Sequence, residues 1–297
     1  MKPADHPIVT LFDLTNTTDY LVWRDNKLKG YPQHTSELMV DIVDPAMLTP
    51  SEKSSLLRVL RKTNVALYRV TGKATTKHAI RQLGVQLGLQ RLDGNLCADE
   101  DNITSLRVVD EGRHSGYIPY TNKPLSWHTD GYYNALDHQI RAIVMHCDTP
   151  ASSGGENALL DHEILYLLLR DEDPALISAL MHPRAMSIPP NVEGGEEIRG
   201  ETIGPVFSVM ADGHLHMRYS ARTRNIAWRD DADTQRVVTR IKEILTGTSP
   251  YLFRYTLQAN EGVISNNVLH NRSGFQDEGN TKRLLYRARY YDRIADT

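Results

Sequence analysis

The chain has 297 residues, of which 40% are hydrophobic and 24% charged, as in globular proteins that bury a full core. Its formal net charge of -3 argues against a nucleic-acid partner, because neutralising phosphates normally takes an excess of basic residues. The two cysteines, Cys97 and Cys147, are too few for a disulfide framework, and no apolar run approaches the ~20 residues that cross a bilayer. Since its first residues lack a signal-peptide pattern, we expect a cytoplasmic chain with no membrane partner.

The first third of the sequence has the pattern of an α/β region. Ser51 is predicted to cap its first helix, in which leucines recur at helical spacing. Residues 65–70 form an apolar run typical of a buried strand. Thr75 or Thr76 is placed to cap a second amphipathic helix.

The rest of the sequence is dominated by short β-prone runs between turn residues. These runs fall at residues 141–147, 206–210, 214–219, 252–257 and 262–265. Two amphipathic helices interrupt them, at about residues 161–170 and 233–245. Many short strands with few inserted helices predict an α+β, mainly β fold with a jelly-roll core and flanking helices. No linker or repeat divides the chain, so residues 1–297 are predicted to form one domain.

The strongest local motif is Leu-Ser-Trp-His-Thr-Asp-Gly at residues 125–131. In an extended segment, residues two apart point to the same side, so His128 and Asp130 can present an imidazole and a carboxylate to one metal ion. A His-X-Asp pattern alone is common in a chain with 12 histidines. His270 can supply a third ligand if its strand returns beside the first. Two histidines and one carboxylate on one face of the metal suit a non-haem Fe(II) oxygenase.

A basic segment follows His270 and offers a site for an anion. Residues 282–290 alternate basic with apolar and aromatic side chains, which predicts that at least one guanidinium points inward. A buried guanidinium is costly unless an anion pairs with it. Two interpretations stay open at this point. The segment is either a solvated basic face, or it binds the distal carboxylate of a dicarboxylate that also chelates the iron.

Taken in order, these segments resemble the taurine dioxygenase-like (TauD/TfdA) family of Fe(II)/2-oxoglutarate enzymes, which is related to clavaminate synthase-like proteins. The resemblance covers roughly residues 60–292, whereas about the first 60 residues, an N-terminal elaboration, match weakly. The matching stretches are residues 65–87, 127–130, 147–157, 253–272 and 283–289.

The resemblance implies a double-stranded β-helix fold and an oxidoreductase that uses Fe(II), 2-oxoglutarate and O2 and releases succinate and CO2. It implies that the three ligands named above bind the iron and that Arg283 binds the C5 carboxylate of 2-oxoglutarate. Asn157 stands where many relatives have a threonine that assists this carboxylate. Asn266 also departs from the usual acidic or aromatic residue, and we assign it no consequence.

The resemblance also bears on the reaction and the substrate. Relatives that halogenate replace the iron-binding carboxylate with a small residue, so Asp130 favours hydroxylation, with desaturation or cyclisation as alternatives. The substrate is expected to be small, polar and anionic or amino-acid-like. The residues predicted to contact it are Arg287, Tyr132, Tyr133, Arg218 and Arg222.

Two other functional classes are compatible with parts of the pattern. A zinc hydrolase could use the same two histidines and carboxylate, but it would not need the basic segment. A non-catalytic barrel that binds a ligand would have no reason to keep three metal ligands beside an anion-binding arginine. Binding of 2-oxoglutarate distinguishes the oxygenase from both, and the sequence leaves a homo-oligomer open.

Overall fold

The computed structural model describes residues 11–72, 74–94, 99–109, 111, 117–222, 226–279 and 282–297. Cys97 lies outside these ranges, whereas Cys147 is a buried free thiol. None of the described helices is both long and apolar enough to cross a membrane. The α-helices in the described part of the chain are α1 (Thr17–Leu28), α2 (Pro50–Thr63), α3 (Lys77–Gln86), α4 (His162–Glu172), α5 (Pro174–Met181) and α6 (Ala232–Thr246).

Short strands outnumber helices, which confirms the predicted strand-rich mixture of the two. In chain order, the described strands are β1 (Met39–Ile42), β2 (Val65–Val70), β3 (Thr104–Leu106), β4 (Leu125–His128), β5 (Ala142–Thr149), β6 (Ser153–Gly154), β7 (Asn157–Leu160), β8 (Met186–Ile188), β9 (Asn191–Glu193), β10 (Glu196–Arg199), β11 (Thr202–Gly204), β12 (Phe207–Val209), β13 (Leu215–Met217), β14 (Ala227–Trp228), β15 (Phe253–Tyr255), β16 (Glu261–Ser265), β17 (Leu269–Arg272), β18 (Phe275–Gln276) and β19 (Leu284–Tyr290).

Two sheets contain the residues of interest. The larger has six strands in the order β1-β2-β16-β5-β19-β3, and the smaller has four in the order β15-β7-β17-β4. Pairing is antiparallel throughout both sheets except between β1 and β2, which are parallel. The chain passes from the larger sheet to the smaller one at residues 266–268, between β16 and β17.

Helices cover these sheets with apolar side chains. α2 packs against β1 and β2, and α3 packs against β5 and β19. α5 lies between α4 and α6, and this group contacts β12 and β13. β16 is buried along its whole length because β2 and β5 flank it within the sheet.

The predicted start of α2 is wrong by two residues. Thr49, not Ser51, caps the helix: its hydroxyl accepts a hydrogen bond from the Glu52 N–H at 3.2 Å. The Glu52 carboxylate accepts one from the Thr49 N–H at 2.7 Å in return, which completes a capping box. Pro50 follows at the first helical position, where its fixed φ favours the helix and its missing N–H costs nothing. The second helix begins as predicted, with Thr76 as its cap.

A buried ion cluster ties α1 to the rest of the fold. Lys27 on α1 is 6% exposed, and its ammonium nitrogen lies 2.7 Å from Asp161 Oδ2 and 2.5 Å from Glu163 Oε2. Asp161 also caps α4 by accepting from the Glu163 N–H. Burial lowers the pKa of Lys27, but the two carboxylates outweigh burial and the net pKa is raised. The cluster therefore anchors the N-terminal region to the start of α4.

Replacing Lys27 with Met should destabilise the protein by about 3–5 kcal/mol, because two carboxylates would stay buried without their cation. Lys29, which is exposed at the end of the same helix, is the matched control. Its replacement with Met should change the unfolding free energy by less than about 0.5 kcal/mol. Urea denaturation of the two variants measures both values, and equal stabilities would contradict the structural role of Lys27.

Candidate metal centre

The pairing of β4 with β17 brings together the residues predicted to bind metal. His128, the last residue of β4, lies directly opposite His270 on β17, and their ring centroids are 4.3 Å apart. Asp130 follows two residues later, with Oδ1 3.5 Å from His128 Nε2. One ligand atom from each of the three residues lies within 4.8 Å of the others, and all three side chains are buried. This spacing suits a single ion.

Both imidazoles are oriented by backbone carbonyls. His128 Nδ1 lies 2.9 Å from the Ser126 carbonyl oxygen, and His270 Nδ1 lies 2.9 Å from that of Val268. A carbonyl oxygen only accepts, so each Nδ1 carries the proton and each Nε2 keeps a free lone pair. Burial, assisted by the neighbouring His128, lowers the pKa of His270 to about 4. The ring is therefore neutral at neutral pH, as a metal ligand must be.

The third side chain of the cluster, Asp130, is held in its ionised form. Burial raises the pKa of this carboxyl, but Arg287 and the neighbouring histidine outweigh burial and hold it well below its usual value. The Arg287 Nη1 donates to Asp130 Oδ1 at 3.3 Å and lies 3.2 Å from Oδ2. Oδ2 is buried and has no hydrogen-bond partner in the described part of the chain. Two imidazole nitrogens and an ionised carboxylate fit Fe(II).

Arg283 and Asn157 line one small cavity, although the sequence separates them widely. Arg283 is 5% exposed, its guanidinium lies 4.8 Å from the centre of the Phe275 ring, and burial lowers its pKa. No carboxylate among the described residues lies within 4 Å of this guanidinium. The Asn157 amide makes only long contacts, at 3.4 Å to the Gly155 carbonyl and 3.5 Å to that of Tyr255. A buried cation and a weakly bonded amide thus line the same small cavity.

Two tyrosines lie beside the cluster, as the sequence predicted. The Tyr132 ring meets the His128 ring edge-on, with centroids 6.5 Å apart, and Tyr133 is 5.2 Å from Tyr132. Both side chains are half-buried. The Arg199 guanidinium lies 5.9 Å from the centre of the Tyr133 ring, which brings the β9–β10 hairpin next to this pair.

Arg289 is a further buried residue near the cluster, and no role was predicted for it. It lies two residues after Arg287 on β19, so the two side chains share a face of the sheet. Its guanidinium forms an ion pair with Asp93 and donates to the Tyr133 hydroxyl at 3.0 Å. The Tyr291 hydroxyl donates to Asp93 at 2.7 Å. Arg289 therefore orients the Tyr133 side chain. The only sequence signal for a buried Arg289 was the alternation of arginines along the strand.

The predicted substrate role of Arg218 is wrong. Its side chain is 1% exposed, and its donors are occupied by backbone carbonyls, so it ties β13 to the neighbouring β8 and β11. Burial lowers its pKa to about 10. Arg222 is half-buried and stays a prediction. The carbonyls that accept from Arg218 are those of Met186, Thr202, Gly204 and Pro205.

Comparison with known families assigns the chain. The profile of the taurine catabolism dioxygenase TauD, TfdA family matches residues 25–289. The chain belongs to this family. It is accordingly an Fe(II)- and 2-oxoglutarate-dependent dioxygenase, an oxidoreductase that uses O2. Membership of the family decides against the zinc hydrolase and the non-catalytic binding protein.

Relatives of this family member are found by sequence and by structure. A uridine-5'-phosphate dioxygenase from Streptomyces sp is 27% identical over 198 residues, which are 65% of this chain and 71% of that protein. An asparagine oxygenase crystallised with Fe(II), 3-hydroxyasparagine and succinate has a TM-score of 0.58 at 15% identity, covering 81% of this chain and 79% of that one. The non-heme iron oxygenase OrfP, crystallised with Fe, succinate and a dihydroxyarginine, has a TM-score of 0.60 at 13% identity, covering 83% and 82%. The two structures share the fold of this chain.

Replacing Arg218 with Met should cost roughly 3 kcal/mol or more of stability, because several buried carbonyls would lose their donor. The same change at Arg222, four residues further along the chain, should lower the free energy of unfolding by less than about 0.5 kcal/mol. Guanidinium denaturation of both variants gives the two values. A stable Arg218→Met variant with a specific defect in substrate binding would restore the original prediction.

Proposed function

We propose that this dioxygenase hydroxylates a small anionic substrate at an Fe(II) ion held by His128, Asp130 and His270. The observation that carries the proposal is the convergence of one ligand atom from each of these three buried side chains within 4.8 Å, with both histidine Nδ1 atoms already bonded to backbone carbonyls. Fe(II) bound there would supply O2 activation coupled to the conversion of 2-oxoglutarate into succinate and CO2. The retained carboxylate of Asp130 favours hydroxylation over halogenation.

Arg283 is the residue that we assign to the C5 carboxylate of 2-oxoglutarate. The guanidinium is buried without an acidic partner in the described part of the chain, and such a group is stabilised by a bidentate anion. Asn157 lines the same cavity, and because both hydrogen bonds from its amide nitrogen are long, the amide can exchange one of them for a shorter bond to a carboxylate. The amide would thus take the place of the threonine expected from the family.

Arg287 is the residue that we assign to the anionic group of the substrate. It is 8% exposed beside Asp130, and its Nε has no hydrogen-bond partner among the described residues. Tyr132 and Tyr133 lie on the same side of the metal cluster and would line the substrate pocket. The compounds named for relatives, uridine-5'-phosphate, a hydroxyasparagine and a dihydroxyarginine, each carry a phosphate or carboxylate group, which supports a substrate with an anionic group.

We also propose that the six- and four-stranded sheets are the two halves of a double-stranded β-helix. Successive strands alternate between the sheets, as β4 to β5, β5 to β7 and β16 to β17 do, which is how such a core is built. Residues 1–297 would then form one domain, with about the first 60 residues added to its outside. The buried ion cluster of Lys27 supports that arrangement.

Anaerobic titration with Fe(II) and 2-oxoglutarate should produce the weak visible charge-transfer band of the ternary complex. His128→Ala should abolish the band because it removes a ligand, and Arg283→Ala should weaken 2-oxoglutarate binding while iron still binds. His78→Ala, which changes an exposed histidine on α3, is the control and should behave like the wild type. Wild-type behaviour of both site variants would contradict the assignment.

Substrate-dependent succinate formation should appear with a small anionic compound from a panel of amino acids, sulfonates and nucleoside monophosphates. Arg287→Gln should raise KM for that compound about 10- to 100-fold, since a charge-assisted hydrogen bond worth ~1.5–3 kcal/mol is lost. Lys282→Gln removes an exposed charge just before the same strand and should leave KM unchanged. An unchanged KM of Arg287→Gln for the anionic compound, or wild-type activity on a neutral analogue that equals the activity on the anionic compound, would show that the substrate is not held by its charge.

A further inference from the structure

The connection between β16 and β17 contains a buried asparagine, Asn267, which is not one of the three metal-cluster residues but is hydrogen-bonded to the backbone of Asp130. Asn267 is 2% exposed, lies three residues before His270 and has a left-handed backbone with φ of 53°. Its side-chain Oδ1 accepts from the Asp130 N–H at 2.8 Å. Its Nδ2 donates to the Asp130 carbonyl at 2.9 Å and to the Ile140 carbonyl at 2.6 Å.

The side-chain amide of Asn267 is therefore hydrogen-bonded to both the N–H and the carbonyl of Asp130. It also holds Ile140, the far end of the loop that begins at Gly131 and carries Tyr132 and Tyr133. His128 and His270 are fixed by the pairing of their strands, but Asp130 lies beyond the end of β4. The backbone of Asp130 is thus held by Asn267 and not by pairing within a strand.

Asparagine is the side chain whose chemistry meets these demands. The amide supplies one acceptor and two donors, and all three are used here. Aspartate would keep the acceptor and lose both donors, and it would add a buried charge. Asparagine is also among the few side chains that tolerate the left-handed conformation that turns the chain from one sheet to the other.

We propose that Asn267 is a positioning residue that sets the Asp130 carboxylate against the two histidines and so determines iron affinity. This role rests on the proposed metal site. Through Ile140, the same side chain couples the metal centre to the loop that carries the two tyrosines. Partners that orient ligands from outside in this way typically contribute about 10- to 100-fold to metal affinity or activity.

The test compares Asn267→Asp and Asn267→Gly with the control Asn266→Asp. Glycine accepts the left-handed backbone, so it removes the three hydrogen bonds without adding strain. Asn266 is the neighbouring asparagine, equally buried at 3% exposure, and it is hydrogen-bonded away from the metal. Its partners are Asn64, Ile294 and Thr297.

The first readout is Fe(II) affinity from anaerobic titration in the presence of 2-oxoglutarate. Both Asn267 variants should bind iron about 10- to 100-fold more weakly than the wild type, and Asn266→Asp should stay within about twofold of it. If the Asn267 variants match Asn266→Asp, the positioning role is wrong while the metal site stands. If the wild type binds no iron, the metal site itself is wrong, and the role of Asn267 falls with it.

The second readout needs no metal. Amide hydrogen exchange of the Asp130 N–H in the iron-free protein should be faster in Asn267→Gly, because its acceptor is gone, whereas Asn267→Asp keeps an acceptor and should retain protection at this N–H. Exchange in β16 and β17 should match that of the wild type, which separates a local loss from global unfolding. Unchanged protection of the Asp130 N–H in Asn267→Gly would overturn the proposal whatever the iron affinity.

Discussion

The antiparallel pairing of β4 with β17 places His128 opposite His270, and the metal cluster depends on that register. Side chains alternate between the two faces of a strand, so a slip of one residue would turn His270 away from His128. β7 holds β17 on its other edge and contributes Asn157 at its own start, which fixes the register from both sides. One sheet thus positions the two imidazoles and the amide of the neighbouring cavity.

The larger sheet contributes the charges around that cluster. Arg287 and Arg289 on β19 are buried with Asp130 and Asp93 as their respective partners, so each cation is balanced by an anion. Arg283, just before the strand, is buried without such a partner among the described residues. Because a buried cation without a carboxylate in contact is costly, Arg283 is the arginine that gains the most from a bound anion. The three arginines differ by their surroundings, not by their residue type.

Features that depend on neighbours in the chain were predictable from the sequence. β2 has the predicted bounds, and the side chains of His128 and Asp130 converge as predicted, although the strand ends at His128. Features that depend on residues far away in the sequence could not be predicted from it. The partners of Arg218 are carbonyls on other strands, and Asn267 meets Asp130 across 137 residues. Even the cap of α2 required a choice between two nearby hydroxyl residues, which the capping box decided in favour of Thr49.

The most direct test of the metal centre is diffraction at the iron absorption edge from crystals grown without oxygen in the presence of Fe(II) and 2-oxoglutarate. We expect one anomalous peak in bonding contact with Nε2 of His128, Nε2 of His270 and the carboxylate of Asp130. A peak that lies elsewhere, or the absence of iron at these three residues, would contradict the proposed centre and the roles assigned around it.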